Sequence, residues 1–151
     1  MTQRNAHQHR HDEFVGYRIY EAHRALSRSL ERTLAPFGVT PGEWNALNQL
    51  DHHGPLSQKH LADALRKEQA TITRSVDRMV RKGLVVREPD PSDRRANIIS
   101  LTPVARRLLT EIEPRAVEAA AHTVDGISED DLETFYAVLG RVKANADEVE
   151  G

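Results

Sequence analysis

The sequence contains no cysteine. Disulfides, thiolate metal sites and a thiol redox switch are therefore excluded. No run approaches the ~20 consecutive apolar residues that a membrane-spanning helix needs. The opening residues, MTQRNAHQHRHDE, hold no apolar stretch of the kind found in a secretory signal. The expectation is a soluble, cytoplasmic chain with no membrane partner. Neither a Gly-rich phosphate loop nor an HExxH motif is present. There is also no internal repeat, low-complexity tract or domain linker. What is there is 151 residues, 38% apolar and 29% charged. That length suits one compact domain over 1–151. A core this thin in a foldable chain implies that further apolar surface is buried against a second copy.

The net charge of −2 conceals a strong asymmetry. Residues 1–54 are balanced, with 6 basic and 6 acidic side chains. Residues 55–110 carry 12 basic against 6 acidic, and residues 111–151 carry 3 basic against 11 acidic. A basic middle between neutral and acidic ends points to a localised polyanion site. Charge alone would equally describe a solvated surface.

The local signals are mostly helical. Ala22, Ala25, Leu26, Leu30 and Leu34 recur at three- and four-residue steps, predicting a helix from about Glu13 to Leu34 that ends at Pro36 and Gly38. Thr40-Pro41-Gly42-Glu43 reads as a capping box, with Val39 and Trp44 as its hydrophobic staple. The helix it starts carries Trp44, Leu47 and Leu50 on one face and stops at Gly54-Pro55. Ser57 is the next N-cap, for a short helix holding Leu61, Ala62 and Leu65. After a break at Arg66-Lys67, a fourth helix spans about Glu68 to Lys82, with Ile72, Val76, Met79 and Val80 as its apolar stripe and Gly83 beyond its end. Residues 84–87 and 97–101 read as two strands of a hairpin with a long polar tip over 88–96. Thr102-Pro103 opens a fifth helix to about Val124, with a kink or break expected at Pro114. Ser128-x-x-Asp131 opens a sixth, lined by Leu132, Phe135, Leu139 and Val142, with Ile127 and Leu132 as its staple.

The predicted fold is mainly α with a small β-hairpin. Two helices joined by a tight break and followed by a hairpin form a winged helix-turn-helix pattern. On the fourth helix, Ala70, Arg74, Arg78 and Arg81 lie opposite the apolar stripe, with Thr71 and Asp77 beside them. A recognition helix needs short or planar hydrogen-bonding groups in its N-terminal turns. Thr71, Thr73 and Arg74 meet that need as base readers. Lys59 and Arg78 suit phosphate, as does Ser57 where the third helix presents its N–H groups. Arg94 and Arg95 at the hairpin suit a neighbouring minor groove, with Asp93 holding one of them by a salt bridge.

The stretch from Leu61 to Leu101 closely resembles the MarR (multiple antibiotic resistance regulator) family. The resemblance is carried by Thr71-Ile72-Thr73-Arg74-Ser75-Val76-Asp77-Arg78-Met79-Val80, by Lys82-Gly83-Leu84-Val85, and by Asp90-Pro91-Ser92-Asp93-Arg94-Arg95 ahead of Ile99-Ser100-Leu101-Thr102. It implies a sequence-specific DNA-binding transcriptional regulator. The first and last helices, about 12–36 and 128–148, would intertwine in a homodimer. A winged module over about 55–101 would be presented to each half of a palindromic operator in double-stranded DNA. Such proteins are mostly repressors released by a small, often phenolic, ligand or by a metal or oxidant. The oxidant sensors that use an N-terminal Cys are excluded here. The family's ligand crevice lies between the first two helices and the DNA-binding module, where Tyr17, Tyr20, His23, Arg24 and Trp44 would suit an aromatic carboxylate or phenolate. One departure stands out. Lys67-Glu68 occupies the N-cap region where many members have Ser or Asp, so the Glu68 side chain should point away from phosphate.

Other chemistries fare worse. His7, His9 and His11 form an HxHxH stretch without fixed geometry, and His23, His52, His53 and His122 show no metal-ligand spacing. His52 and His53 suit the C-terminal end of a helix dipole instead. Ser57, His60 and Asp63 hold the ingredients of a hydrolytic triad, but a helix start supplies no oxyanion site. No catalytic residue, metal or resident cofactor is expected. The alternative to a DNA-binding regulator is a small-molecule-binding or interaction module of the same fold without specific DNA binding.

Overall fold

The computed structural model describes residues 14–148. His7, His9 and His11, and the predicted helix start at Glu13, lie outside the described residues. Among the described residues, six α-helices and three strands follow one another. They are α1 (Val15–Leu34), α2 (Pro41–His53), β1 (Leu56–Ser57), α3 (Gln58–Leu65), α4 (Gln69–Arg81), β2 (Val85–Asp90), β3 (Asp93–Leu101), α5 (Pro103–Thr123) and α6 (Glu129–Glu148). The chain divides into two compact units, one up to Ala119 and one from Ala120.

In the first unit, α1 ends at Leu34, ahead of Pro36, as predicted. A 3₁₀ turn over Ala35–Phe37 follows it, and Gly38 then reverses the chain in the left-handed region at φ 68°. The predicted capping box starts α2. The Glu43 N–H donates to Thr40 Oγ1 at 3.2 Å, and the Thr40 N–H donates to Glu43 Oε2 at 3.1 Å. Pro41 stands at the first helical position, where its missing N–H costs nothing. The core joins Leu34, Leu47 and Leu50 to Leu61, Val76 and Met79, to Ile99 and Leu101 of the sheet, and to Ala105, Leu109 and Ile112 of α5. Full burial of each large aliphatic side chain contributes about 1.5–3 kcal/mol.

The sheet corrects the two-stranded hairpin. It has three antiparallel strands in the order β1-β3-β2, with Leu56 opposite Ile99 and Ser57 opposite Ile98. The long polar tip is corrected too. Residues 88–90 and 93–96 are strand, and only Pro91 and Ser92 turn the chain. Asp90 explains the short turn: its Oδ1 accepts from the Ser92 N–H at 2.8 Å and from the Ser92 hydroxyl at 2.7 Å. Pro89 is tolerated because β2 is an edge strand and the register shifts between Pro89 and Asp90.

Pro114 does not break α5, which passes through it. Thr102 caps that helix by accepting from the Ala105 N–H at 3.2 Å, while its own hydroxyl donates to the Gly83 carbonyl at 2.7 Å. In the second unit, Ser128 Oγ accepts from the Asp131 N–H at 3.2 Å and donates to Asp131 Oδ2 at 2.8 Å. Glu129, Asp130 and Asp131 then place negative charge at the positive end of α6. No side chain of α6 is buried.

Candidate nucleic-acid interface

Helices α3 and α4 meet at a tight turn. Arg66 adopts the left-handed conformation at φ 51°, and the Lys67 N–H donates back to the Ala62 carbonyl at 3.0 Å. Glu68 is the N-cap residue of α4, and its side chain makes no capping bond. Ile72, Ser75, Val76 and Met79 turn inward from α4. The predicted stripe is thus off by one residue. Val80 is exposed and Ser75 is buried in its place. At 100° per residue Val80 lies ~80° from Ile72, while Ser75 lies ~60° away on the other side. A Schellman motif ends the helix: the Leu84 N–H donates to the Met79 carbonyl, and the N–H of Gly83, at φ 70°, donates to the Val80 carbonyl, both at 2.9 Å.

The outer face of α4 is as predicted, with Ala70, Thr71, Arg74, Arg78 and Arg81 exposed. Two members of the predicted set on α4 have internal partners. Thr73 is half-buried; its hydroxyl donates to the Gln69 carbonyl at 2.9 Å and accepts from Gln58 Nε2 at 2.5 Å. Arg78 Nε lies 3.7 Å from Glu43 Oε1. Glu43 itself is fully buried, and Lys82 Nζ donates to its two oxygens at 2.7 and 3.0 Å and to the Gly38 carbonyl at 2.9 Å. Glu43 therefore does more than cap α2, because it also fastens the C-terminal end of α4 to the start of α2.

On the third helix, Ser57 Oγ accepts from the His60 N–H at 3.1 Å as its N-cap, and Lys59 is exposed beside it. In the hairpin, Arg94 and Arg95 are exposed. Among the described residues, Asp93 holds no arginine side chain. Its Oδ1 accepts from the Arg95 backbone N–H at 2.9 Å, and the predicted Asp93 salt bridge is replaced by this local turn. The charged bond between helix and hairpin lies elsewhere, from Arg87 Nη2 on β2 to Asp77 Oδ1 on α4 at 2.5 Å. The two hydrogen bonds from Ser92 hold the Asp90 carboxyl below its ordinary value of 3.8.

The geometry has known counterparts. Residues 37–96 match the family model described as "MarR family". A probable transcriptional regulator from Pseudomonas aeruginosa is 29% identical, with a TM-score of 0.80 over 88% of this chain and 99% of that one. The chain belongs to the MarR family. It is a winged helix-turn-helix regulator by fold and family. A MarR variant from E. coli, solved in complex with operator DNA, is 23% identical, with a TM-score of 0.79 over 84% of this chain and 91% of that one. BpsR from Bordetella bronchiseptica, whose DNA binding is regulated by 6-hydroxynicotinic acid, is 24% identical, with a TM-score of 0.76 over 85% and 98%. Both share the fold with this chain.

The residues assigned to an effector in this MarR-family chain occupy different surroundings. Tyr17 is half-buried on α1. Tyr20, His23 and Arg24 are exposed; the Arg24 guanidinium lies 5.7 Å from the centre of the Tyr20 ring and 3.9 Å from Glu21, and His23 Nε2 lies 3.4 Å from Ser27 Oγ. Trp44 packs against the core from α2. His52 and His53 meet edge to face at 4.6 Å in the last turn of α2. Among the described residues, no group of three or more His, Asp or Glu side chains is placed to hold a metal. No helix among them is long and apolar enough to cross a membrane.

Three side-chain hydrogen-bonded pairs between elements escaped the sequence reading: Glu43 with Lys82, Asp77 with Arg87, and Gln58 with Thr73. The first joins residues 39 apart in sequence, and no local pattern announces it. The third was within reach. A helix-turn-helix sets the first residue of α3 beside the second turn of α4, and a polar residue directly after an N-cap is then a natural partner for Thr73.

Proposed function

We propose that the chain is a ligand-responsive repressor that binds a palindromic operator in double-stranded DNA as a homodimer. The observation that carries this reading is α4, whose inner face is buried while Ala70, Thr71 and Arg74 stand exposed in its first two turns. Those turns are where a recognition helix meets base edges in the major groove. The Arg74 fork matches guanine O6 and N7, and the small Ala70 and Thr71 let the helix approach closely. Lys59 and the Ser57 hydroxyl meet phosphate from α3, while Arg78, 3.7 Å from Glu43, holds α4 against α2. Arg94 and Arg95 serve the wing, whose turn Asp93 supports through the Arg95 N–H.

The homodimer is supported by apolar surface left uncovered. Phe135, Tyr136, Val138 and Leu139 of α6 are exposed, as are Val15, Ile19, Tyr20 and Leu26 of α1. A second copy would cover them through helices at about 12–36 and 128–148, and its winged module would take a half-site about one helical turn away. A small aromatic or phenolic acid is the effector class that Tyr17, Tyr20, His23, Arg24 and Trp44 suit, and the 6-hydroxynicotinic acid named for BpsR belongs to that class. Ligand binding would change the separation of the two recognition helices. Ligand and operator must then weaken each other by the same factor.

The test is selection of DNA from a random pool by the purified protein at moderate salt, with light scattering of the protein alone. A palindromic motif and a mass twice 17.0 kDa are expected. Absence of any enriched motif, or a monomer, would overturn the reading.

A further inference from the structure

Thr73 was expected to read a base, but its hydroxyl is already committed. Its single proton goes to the Gln69 carbonyl at 2.9 Å, so towards Gln58 the oxygen can only accept. That settles which end of the Gln58 amide faces it. The nitrogen must, as the 2.5 Å contact from Nε2 has it, because a carbonyl oxygen there would set lone pair against lone pair. Thr73 lies on the flank of α4 between buried Ile72 and exposed Arg74. The Gln58 amide is therefore held at the edge of the exposed face, half-buried and in one orientation. One N–H is spent on Thr73. One N–H and the carbonyl oxygen are left.

We propose that Gln58 is a specificity-determining residue, presented by Thr73 so that its remaining donor and acceptor read the major-groove edge of an adenine. Adenine offers an N7 acceptor and an N6 amino donor, which one free amide N–H and one carbonyl oxygen complement. Thr73 is then a positioning residue that acts through Gln58. Holding the amide in advance removes the rotamer entropy that a free Gln would lose on binding. The proposal rests on the DNA-binding reading above and deepens it by adding a base reader from α3 to those on α4.

The test is selection from a random DNA pool by the full chain and by Gln58→Ala, Thr73→Val and Thr73→Ser, each checked for unchanged far-ultraviolet circular dichroism. The unsubstituted protein should select a motif with adenine at one fixed place in each half-site. Gln58→Ala should keep the rest of the motif and lose roughly 5- to 150-fold preference at that place, the range for one well-formed bidentate pair. Thr73→Val should lose part of the same preference, and Thr73→Ser, which keeps the hydroxyl, should restore it. If Gln58→Ala selects the unchanged motif, or weakens all sequences evenly, the role given to Gln58 is wrong while the regulator reading stands. If the unsubstituted protein selects nothing, the DNA-binding reading falls and the role of Gln58 falls with it.

Discussion

Removing Lys82 should damage this protein more than neutralising Glu43, although the two form one ion pair. Glu43 is 0% exposed, whereas the Lys82 side chain is 39% exposed. Lys82→Met leaves a carboxylate inside the protein, with the Thr40 N–H at 3.1 Å and Arg78 Nε at 3.7 Å as its remaining support. Breaking a buried pair from one side costs about 3–5 kcal/mol. Arg78 stays close enough to place this case at the lower end, about 3 kcal/mol. Glu43→Gln keeps the side-chain volume and an oxygen for the Thr40 cap, and the released ammonium can reach water. Its loss is one charge-assisted hydrogen bond, about 1.5 kcal/mol. The double variant buries no charge, so its cost should fall below the sum by about 2 kcal/mol, within the usual range for residues in contact. Urea unfolding followed by circular dichroism, at one fixed protomer concentration because a dimer's stability depends on it, measures all three. Lys82→Met should lower the midpoint by roughly 1–2 M. Equal losses, a reversed order, or additivity within ~0.5 kcal/mol would refute the reasoning.

Arg74→Ala should relax base choice at one place in each half-site, and Lys59→Ala should weaken all sequences evenly and flatten the salt dependence by about one unit per site; quantitative gel shifts at several salt concentrations separate the two. Asp77→Ala should cost about 1 kcal/mol, since both partners of the Asp77–Arg87 pair are partly exposed, and should speed amide exchange along β2. The Asp90 carboxyl titrates below its ordinary value of 3.8 because Ser92 donates to its charged form, so its support of the wing turn is complete above about pH 5 and is lost as the pH falls below 3.8. The Ser92 amide shift in an NMR titration should follow that loss, and Asp90→Asn should abolish the response; a midpoint at or above 3.8 would contradict the assignment.

The sequence disclosed what is local. Both capping motifs, the stop at Gly83, the break at Arg66 and the outer face of α4 each follow from neighbours within a few residues. The MarR signature lies within those same segments. What escaped is either too short or too distant to leave a pattern. β1 has only two residues, and it exists because β3 offers it an edge. The hairpin tip looked long because Pro89, Asp90, Pro91 and Asp93 are all turn formers, yet an edge strand tolerates the first and the Asp90 side chain closes the turn within two residues. Val80 belongs to the apolar pattern of α4 by spacing, but the helix is rotated so that Ser75 takes the buried place. Glu43 showed its capping role and concealed its ion pair, because capping is local and Lys82 is not.

These pairings change the meaning of the basic middle of the chain. Between residues 55 and 110, Lys82 and Arg87 face internal carboxylates at 2.7 and 2.5 Å, and Arg78 leans on Glu43 at 3.7 Å. They fix α4 against α2 and the wing. Lys59, Arg94 and Arg95 form no such ion pair among the described residues and are exposed. If those three alone meet phosphate in each protomer, a dimer neutralises six phosphates and log K should fall with log salt at a slope of about −5. If the three paired cations also turned to DNA, the count would double and the slope would approach −11. A slope near −5 for operator binding, unchanged when Lys82 is replaced by Met but flattened when Arg94 and Arg95 are replaced by Ala, is the expected result. A slope near −11 would mean that the paired cations serve the nucleic acid and that the carboxylates give them up on binding.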